Sequence, residues 1–184
     1  MTKREARQHA KILRAALDQK ALGRAMADAL FGLPAWQQAH TVLAFASLPD
    51  EPDTAPMLRQ ALAEGKRLLL PRVTGDGTMD WVEIPDLGLL QRGTFGIWEP
   101  PAALPPVCPP DDSTALALLP CLAVGADGVR LGRGGGYYDR FLAHYKGKRL
   151  LLCPTALILP HIPADAWDVR FHPEEILTEK GIPL

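Results

Sequence analysis

The run VRLGRGGGYYDR, Val129 to Arg140, sets four glycines among three arginines, two tyrosines and an aspartate. Glycine lets a backbone approach an anion closely and take positive φ angles. Arginine adds fixed charge and forked donors. The surrounding pattern reads as strand (115–119), loop (120–135), then helix from about 136. Loops beyond the carboxyl ends of parallel strands are where open α/β sheets bind ligands. A helix N-terminus also attracts anions. The chemistry this composition suits is phosphate binding. Backbone N–H groups would come from Gly132, Gly134, Gly135 and Gly136, and positive charge from Arg130 and Arg133. No Lys-Ser or Lys-Thr closes the run, so it is not a P-loop, and GRGGGY fits the dinucleotide fingerprint poorly. On glycine content alone, a long strand-to-helix turn is an equally good reading. Asp139 would then be a first-turn acid favoured by the helix dipole, and Tyr137 and Tyr138 core residues.

Other residues capable of chemistry are scattered. Lys3 and Arg7 lie one helical turn apart, which on spacing alone describes a solvated basic face. The five histidines show no ligand spacing, and no general base stands out. Cys108, Cys121 and Cys153 form no CxxC pair and read as reduced thiols serving as small buried hydrophobes.

The elements that must position these residues follow from periodicity. Residues 3–31 keep helical spacing, with Gly23 as a possible break into two helices. TVLAFAS (41–47) is a strand. TAPMLRQALAEG (54–65) is a helix with Thr54 as N-cap and Gly65 as its stop. KRLLLPRV (66–73) is a strand ended by a proline, and MDWVEI (79–84) alternates as a half-buried strand after the turn TGDG. The six prolines of residues 100–110 exclude helix and central strand, leaving a surface connection. ALALLP (115–120), KRLLLCP (148–154) and EEILTE (174–179) complete the strands. Tyr137, Phe141 and Tyr145 recur every four residues on one apolar helix face. Alternating strands and helices predict one α/β domain over 1–184, with a central, mainly parallel sheet flanked by helices.

Composition bounds the function. Formal net charge is -1, so bulk attraction to nucleic-acid phosphates is not favoured, despite seven basic residues within 1–24. The apolar runs are too short or too broken to span a membrane. The basic start lacks the serines of a transit peptide, and no signal-peptide core follows it, so a cytoplasmic protein is expected.

LLPCLAVGADGVRLGRGGGYYDRFL (118–142) resembles the signature of the 5-formyltetrahydrofolate cyclo-ligase family, also called 5,10-methenyltetrahydrofolate synthetases: a strand ending in Pro, then G-x-RLG-x-G-x-GYYDR. TKREARQ is similar to the family's K-x-x-x-R, with Lys3 and Arg7. SLPDEPDT (47–54) is similar to the segment whose Glu touches the pterin, here Glu51. FGIWEP (95–100) is similar to its G-x-x-EP segment. AWDVRFHPEEILTE (166–179) is similar to its closing segment, with Asp168, Thr178 and Glu179. Trp167 stands where relatives often carry an acid or His, and Gly135 where some carry Lys.

The resemblance implies ATP- and Mg²⁺-dependent cyclisation of 5-formyltetrahydrofolate to 5,10-methenyltetrahydrofolate, releasing ADP and phosphate. It implies ATP contacts from Lys3, Arg7, Arg130, Gly132, Arg133, Gly134, Gly135, Gly136 and Tyr138. Arg133 and Tyr137 would be catalytic. Ala46, Glu51 and Tyr137 would hold the folate, and Asp139 and Asp168 the Mg²⁺. Trp81, Phe95 and Trp98 are candidates to stack on the pterin, with packing as the competing role. The expected partners are these small molecules, with no nucleic acid and no membrane, in a monomer or small homo-oligomer. A binding-only relative of the same fold is the alternative, although it would be expected to have lost part of the Gly run, Tyr137, Tyr138, Asp139 or Glu51.

Overall fold

The computed structural model describes all residues except 76, 94, 95, 111, 167, 183 and 184, so Phe95 and Trp167 lie outside the described residues. The central sheet is built from β1 (Thr41–Leu43), β2 (Arg67–Gly75), β3 (Thr78–Glu83), β6 (Pro106–Val107), β7 (Ala115–Pro120), β10 (Lys148–Leu152) and β12 (Ile176–Leu177). Its order is β12-β10-β7-β1-β2-β3-β6. The five strands from β12 to β2 run parallel, whereas β3 and β6 pair antiparallel at one edge. The expected mainly parallel α/β sheet is therefore present.

Strand alternation explains the layers. Leu43, Leu69, Ala117, Leu119 and Leu151 face one core with Ala6 and Ala10 of α1 (Lys3–Ala15). Val42, Leu68, Leu70, Leu116, Leu118 and Leu150 face a second core with α2 (Gln19–Phe31), α3 (Pro34–Gln37) and α4 (Ala55–Ala63). A strand covered on both faces reads as an unbroken apolar run. Each fully buried leucine contributes about 1.5–3 kcal/mol of transfer free energy.

Several boundaries differ from the sequence reading. The break in residues 3–31 falls at Asp18, whose carboxylate caps α2 by accepting from the N–H groups of Lys20 and Ala21. Gly23 instead sits inside α2, where a Cβ would collide with the Asp53 backbone. Gly→Ala within a helix normally stabilises. Here the sign reverses: Gly23→Ala is expected to cost about 1–3 kcal/mol, the scale of core overpacking, read as a lower urea midpoint. Strand β2 continues past Pro71, because its β1 neighbour pairs only as far as Leu69 and no ladder bond is lost. The proline-rich stretch contributes β6, an edge strand where proline is tolerated. The closing strand shrinks to Ile176–Leu177, behind a 3-10 turn at Pro173–Glu175.

The 120–135 loop also contains structure. Strands β8 (Ala123–Gly125) and β9 (Arg130–Leu131) form a hairpin, extended by β11 (Ile158–Leu159). Its turn needs Gly128, at φ 81, where a Cβ would strike the Phe171 carbonyl. A small ribbon pairs β4 (Gln91–Arg92) with β5 (Trp98–Glu99).

Candidate active site

The carboxyl ends of β1, β2 and β7 open onto one cavity of about 460 Å³. Three segments form most of its wall: the loop after β1, the β2–β3 arm with β5, and the glycine run leading into α5 (Tyr137–Leu142).

The loop after β1 is pinned before it meets any ligand. Thr54 stands at the N-cap position of α4 as expected, but its hydroxyl does not cap the helix. It donates to the Phe45 carbonyl at 2.7 Å and accepts from the Ser47 N–H at 3.0 Å. This holds Ala46 and Glu51 against the cavity. Glu51 is buried, and its Oε2 accepts from the Leu48 N–H at 2.9 Å. Its Oε1 accepts from Arg133 Nη2 at 3.0 Å. The same Arg133 nitrogen donates to Asp50 Oδ1 at 2.6 Å. Burial works against the charge on Asp50. The hydrogen bond and charge of Arg133, with the charge of Arg14 beyond, outweigh it and hold the carboxyl below its ordinary range.

In the glycine run, Gly134 and Gly136 take φ angles of 100 and 71, which L side chains rarely adopt. Arg7 Nε donates to the Gly132 carbonyl at 3.0 Å, so α1 supports the loop from below. Arg140 Nη1 donates to the carbonyls of Gly135 and Gly77, both at 3.0 Å, tying the loop to the β2–β3 turn. Arg130 is buried; its Nε donates to the Pro120 carbonyl at 2.8 Å and its Nη1 to Asp139 Oδ1 at 3.1 Å. Helix α5 spans only six residues, so its dipole is small and the anion-attracting charge here is chiefly that of the arginines. Tyr138 lies under Arg130, with the guanidinium carbon 5.4 Å from the ring centroid. Burial, reinforced by the Glu51 charge and opposed by Arg130, pushes its phenol well above the usual range, so it stays protonated at neutral pH.

The structure thus gathers Ala46, Glu51, Arg130, Gly132, Arg133, Gly134, Gly135, Gly136, Tyr137, Tyr138 and Asp139 around one cavity, with Arg7 behind it. Lys3 and Asp168 are not in its wall. Lys3 Nζ pairs with Asp165 and Asp168, and Asp168 also accepts from the Asp165 N–H at 2.6 Å. Burial would lower the Lys3 pKa, but hydrogen bonds to Asp165 and Asp168 raise it. Among the described residues no group of three or more His, Cys, Asp or Glu side chains could hold a metal. Mg²⁺ commonly takes one or two carboxylates plus substrate phosphates. Asp139 at the cavity wall fits that arrangement.

The aromatic candidates separate. Trp81 is buried core, its ring centroid 5.0 Å from that of Phe141, which in turn lies 4.8 Å from Tyr145. Trp98 lines the cavity, 44% exposed, with Arg92 over its ring at 4.3 Å. Three residues were given no role by the sequence, although two of them, Glu99 and Asp50, lie in segments it singled out. Glu99 is buried in the wall and accepts from the Val73 N–H at 3.3 Å. Asp50 is the second anchor of Arg133. Arg14, buried on α1, donates to the Cys121 carbonyl at 2.9 Å and lies 3.5 Å from Asp50. Its helical spacing of seven residues from Arg7 was the available signal.

A sequence model described as the 5-formyltetrahydrofolate cyclo-ligase family matches residues 2–179. The 5-formyltetrahydrofolate cyclo-ligase of Mycolicibacterium smegmatis is 34% identical over 149 residues, covering 76% of this chain and 74% of that protein. The protein of the same name in Escherichia coli K12 is 30% identical over 156 residues, covering 82% and 85%. The solved structure of Aquifex aeolicus 5,10-methenyltetrahydrofolate synthetase aligns over 99% of this chain and 92% of its own, with a TM-score of 0.83 at 29% identity. No helix among the described residues is long and apolar enough to cross a membrane.

Proposed function

Because the chain belongs to the 5-formyltetrahydrofolate cyclo-ligase family, we propose that it cyclises 5-formyltetrahydrofolate to 5,10-methenyltetrahydrofolate, with ATP and Mg²⁺, releasing ADP and phosphate. The N-formyl group is an amide, and its oxygen leaves poorly. Phosphorylation by ATP supplies the activation: the γ-phosphoryl group moves to the formyl oxygen, N10 attacks the carbon, and the C–O bond breaks as phosphate departs. The observation that carries this reading is the Arg133–Glu51 pair. It sets a guanidinium, a group suited to phosphate, 3.0 Å from a buried carboxylate within one cavity.

Phosphoryl transfer relies mostly on positioning and charge stabilisation. Gly132, Gly134, Gly135 and Gly136 offer backbone N–H donors to the phosphates, and Arg130 and Arg133 neutralise charge that develops during transfer. Arg7 fixes the loop through Gly132, and Tyr138 buttresses Arg130. Glu51 accepts from the amino-pyrimidine edge of the pterin, a pair of N–H donors suited to one carboxylate. Asp50 keeps hold of Arg133 when the pterin takes Glu51. Ala46 and Tyr137 close the folate side, and Trp98 is, of the described stacking candidates, the one in the cavity wall. Asp139 contributes a carboxylate to Mg²⁺. For Lys3 as an ATP contact and Asp168 as a Mg²⁺ ligand the support is the family resemblance alone, since the two pair with each other outside the cavity wall. We place the activity in the cytoplasm, in a monomer or small homo-oligomer, with small molecules as its partners.

Separate titrations test this reading. A non-hydrolysable ATP analogue with Mg²⁺ and 5-formyltetrahydrofolate should each bind the free protein, the folate quenching tryptophan fluorescence through Trp98. Failure of either ligand to bind contradicts it. Asp139→Asn should raise the half-saturating Mg²⁺ concentration by about tenfold, the equivalent of 1.4 kcal/mol, while leaving the fold intact. An unchanged Mg²⁺ dependence removes Asp139 from the metal site.

A further inference from the structure

Two of the three cysteines, read from sequence as small buried hydrophobes, lie at and behind the cavity wall. Strands β7 and β10 run parallel with Leu119 opposite Leu151 and Pro120 opposite Leu152. Cys121 and Cys153 each follow directly on the last paired residues of these strands, so the same register continued by one residue would set them opposite each other. Neighbouring strands lie about 4.8 Å apart, inside the Cα separation of about 4.4–6.8 Å that a disulfide spans. Both side chains belong to one buried cluster; the Cys121 thiol donates to the Leu152 carbonyl at 3.5 Å, beside Cys153, whose own thiol donates to the Pro154 carbonyl at 3.6 Å, and both are reduced. Their environments differ. Cys121 lines the cavity, whereas Cys153 is fully buried behind it.

A second observation concerns charge. Arg14 is 1% exposed, and its Nε and Nη2 have no hydrogen-bond partner among the described residues. Its Nη1 donates to the carbonyls of Cys121 and Leu122. A buried cation with unused donors is costly unless an anion answers it. Asp50, 3.5 Å from Nε, answers in part. The proximity of Cys153, with help from the charges of Arg130 and Arg14, lowers the Cys121 pKa against burial. Burial raises that of Cys153. Cys121 faces the cavity beside these cations and Cys153 lies behind it, so a peroxide entering the cavity meets Cys121 first and Cys153 is placed to resolve it.

We propose that Cys121 and Cys153 form a peroxide-sensitive pair that closes reversibly to a disulfide and disables the site. The Cys121 thiolate attacks one oxygen of a hydroperoxide; the O–O bond breaks, hydroxide or alkoxide leaves, and Cys121 becomes a sulfenic acid. The leaving oxyanion takes the Cys153 proton. The Cys153 sulfur then attacks the sulfenic sulfur, the S–S bond forms and the S–O bond breaks. The departing hydroxide is protonated to water. Two electrons pass from the sulfurs to the peroxide, and an external thiol restores both. Closing to a bond of about 2.0 Å pulls on the segment whose Pro120 and Cys121 carbonyls hold Arg130 and Arg14.

The test uses full-length protein carrying Cys108→Ser, which removes the one exposed thiol, treated with hydrogen peroxide and digested without reductant. A Cys121–Cys153 linked peptide that vanishes with dithiothreitol is expected. Turnover should fall on the order of 100-fold, the scale of a 1 Å misplacement, and recover with dithiothreitol. Adding Cys153→Ala should leave basal turnover unchanged and abolish the linked peptide. If peroxide yields only sulfinic or sulfonic Cys121, or no reaction, the pair is overturned. A linked peptide with unchanged turnover overturns the disabling step. The loss of activity rests on the function proposed above, whereas the peptide measurement does not, so the two failures are distinguishable.

Discussion

Arg133→Ala is expected to lower turnover by about 100- to 1000-fold, the cost of removing one preorganised donor from a developing anionic charge. The wild-type geometry explains why the effect should fall on turnover more than on folding. Arg133 is 44% exposed at the side chain, and its pairs with Asp50 and Glu51 cross the mouth of the cavity. Burial opposes its charge, but Glu51 and Asp50 raise its pKa, so the guanidinium is locked in the charged form. Removing it leaves Glu51 with its Leu48 N–H bond and Asp50 near Arg14, so neither carboxylate is stranded. The measurement is kcat with both substrates saturating, beside a denaturant melt. A variant that loses stability but keeps turnover would make Arg133 a structural clasp.

Glu51→Ala should instead act on the folate. Each hydrogen bond to a charged group contributes about 1.5–3 kcal/mol, and 1.4 kcal/mol is tenfold in affinity. Losing an acceptor for two N–H donors is therefore expected to weaken 5-formyltetrahydrofolate binding by at least about 100-fold. Affinity for the ATP analogue should stay within about threefold of wild type, because Asp50 continues to hold Arg133 at 2.6 Å. Isothermal titration of each ligand separates the two. A fall in nucleotide affinity with folate affinity intact would place Glu51 on the wrong ligand.

The parallel core was legible because strands buried on both faces are continuous apolar runs, as in ALALLP and KRLLL. Gly65 was legible as a helix stop, and its φ of 69 shows why. The strands β8 and β9 were not, since three and two residues carry no measurable period. The helix break was misplaced because Gly23 suits a stop signal, whereas the deciding interaction is the Asp18 cap. In the site, the glycine run and Glu51 stood out by residue type and resemblance. Arg14 and Asp50 did not, because a cation on a basic helix face and an acid in a loop look solvated until tertiary packing buries the one and pairs the other. The cysteines were unremarkable as single residues; only the packing of β10 beside β7 brings the Cys121 sulfur against the Leu152 carbonyl, next to Cys153.

The central claim is tested most directly by the near-ultraviolet absorbance of the methenyl product. Purified protein is mixed with 5-formyltetrahydrofolate, ATP and Mg²⁺, and ATP or Mg²⁺ is omitted in turn. The account predicts a rise that requires both. No rise from folded protein, or a rise indifferent to ATP, would contradict it.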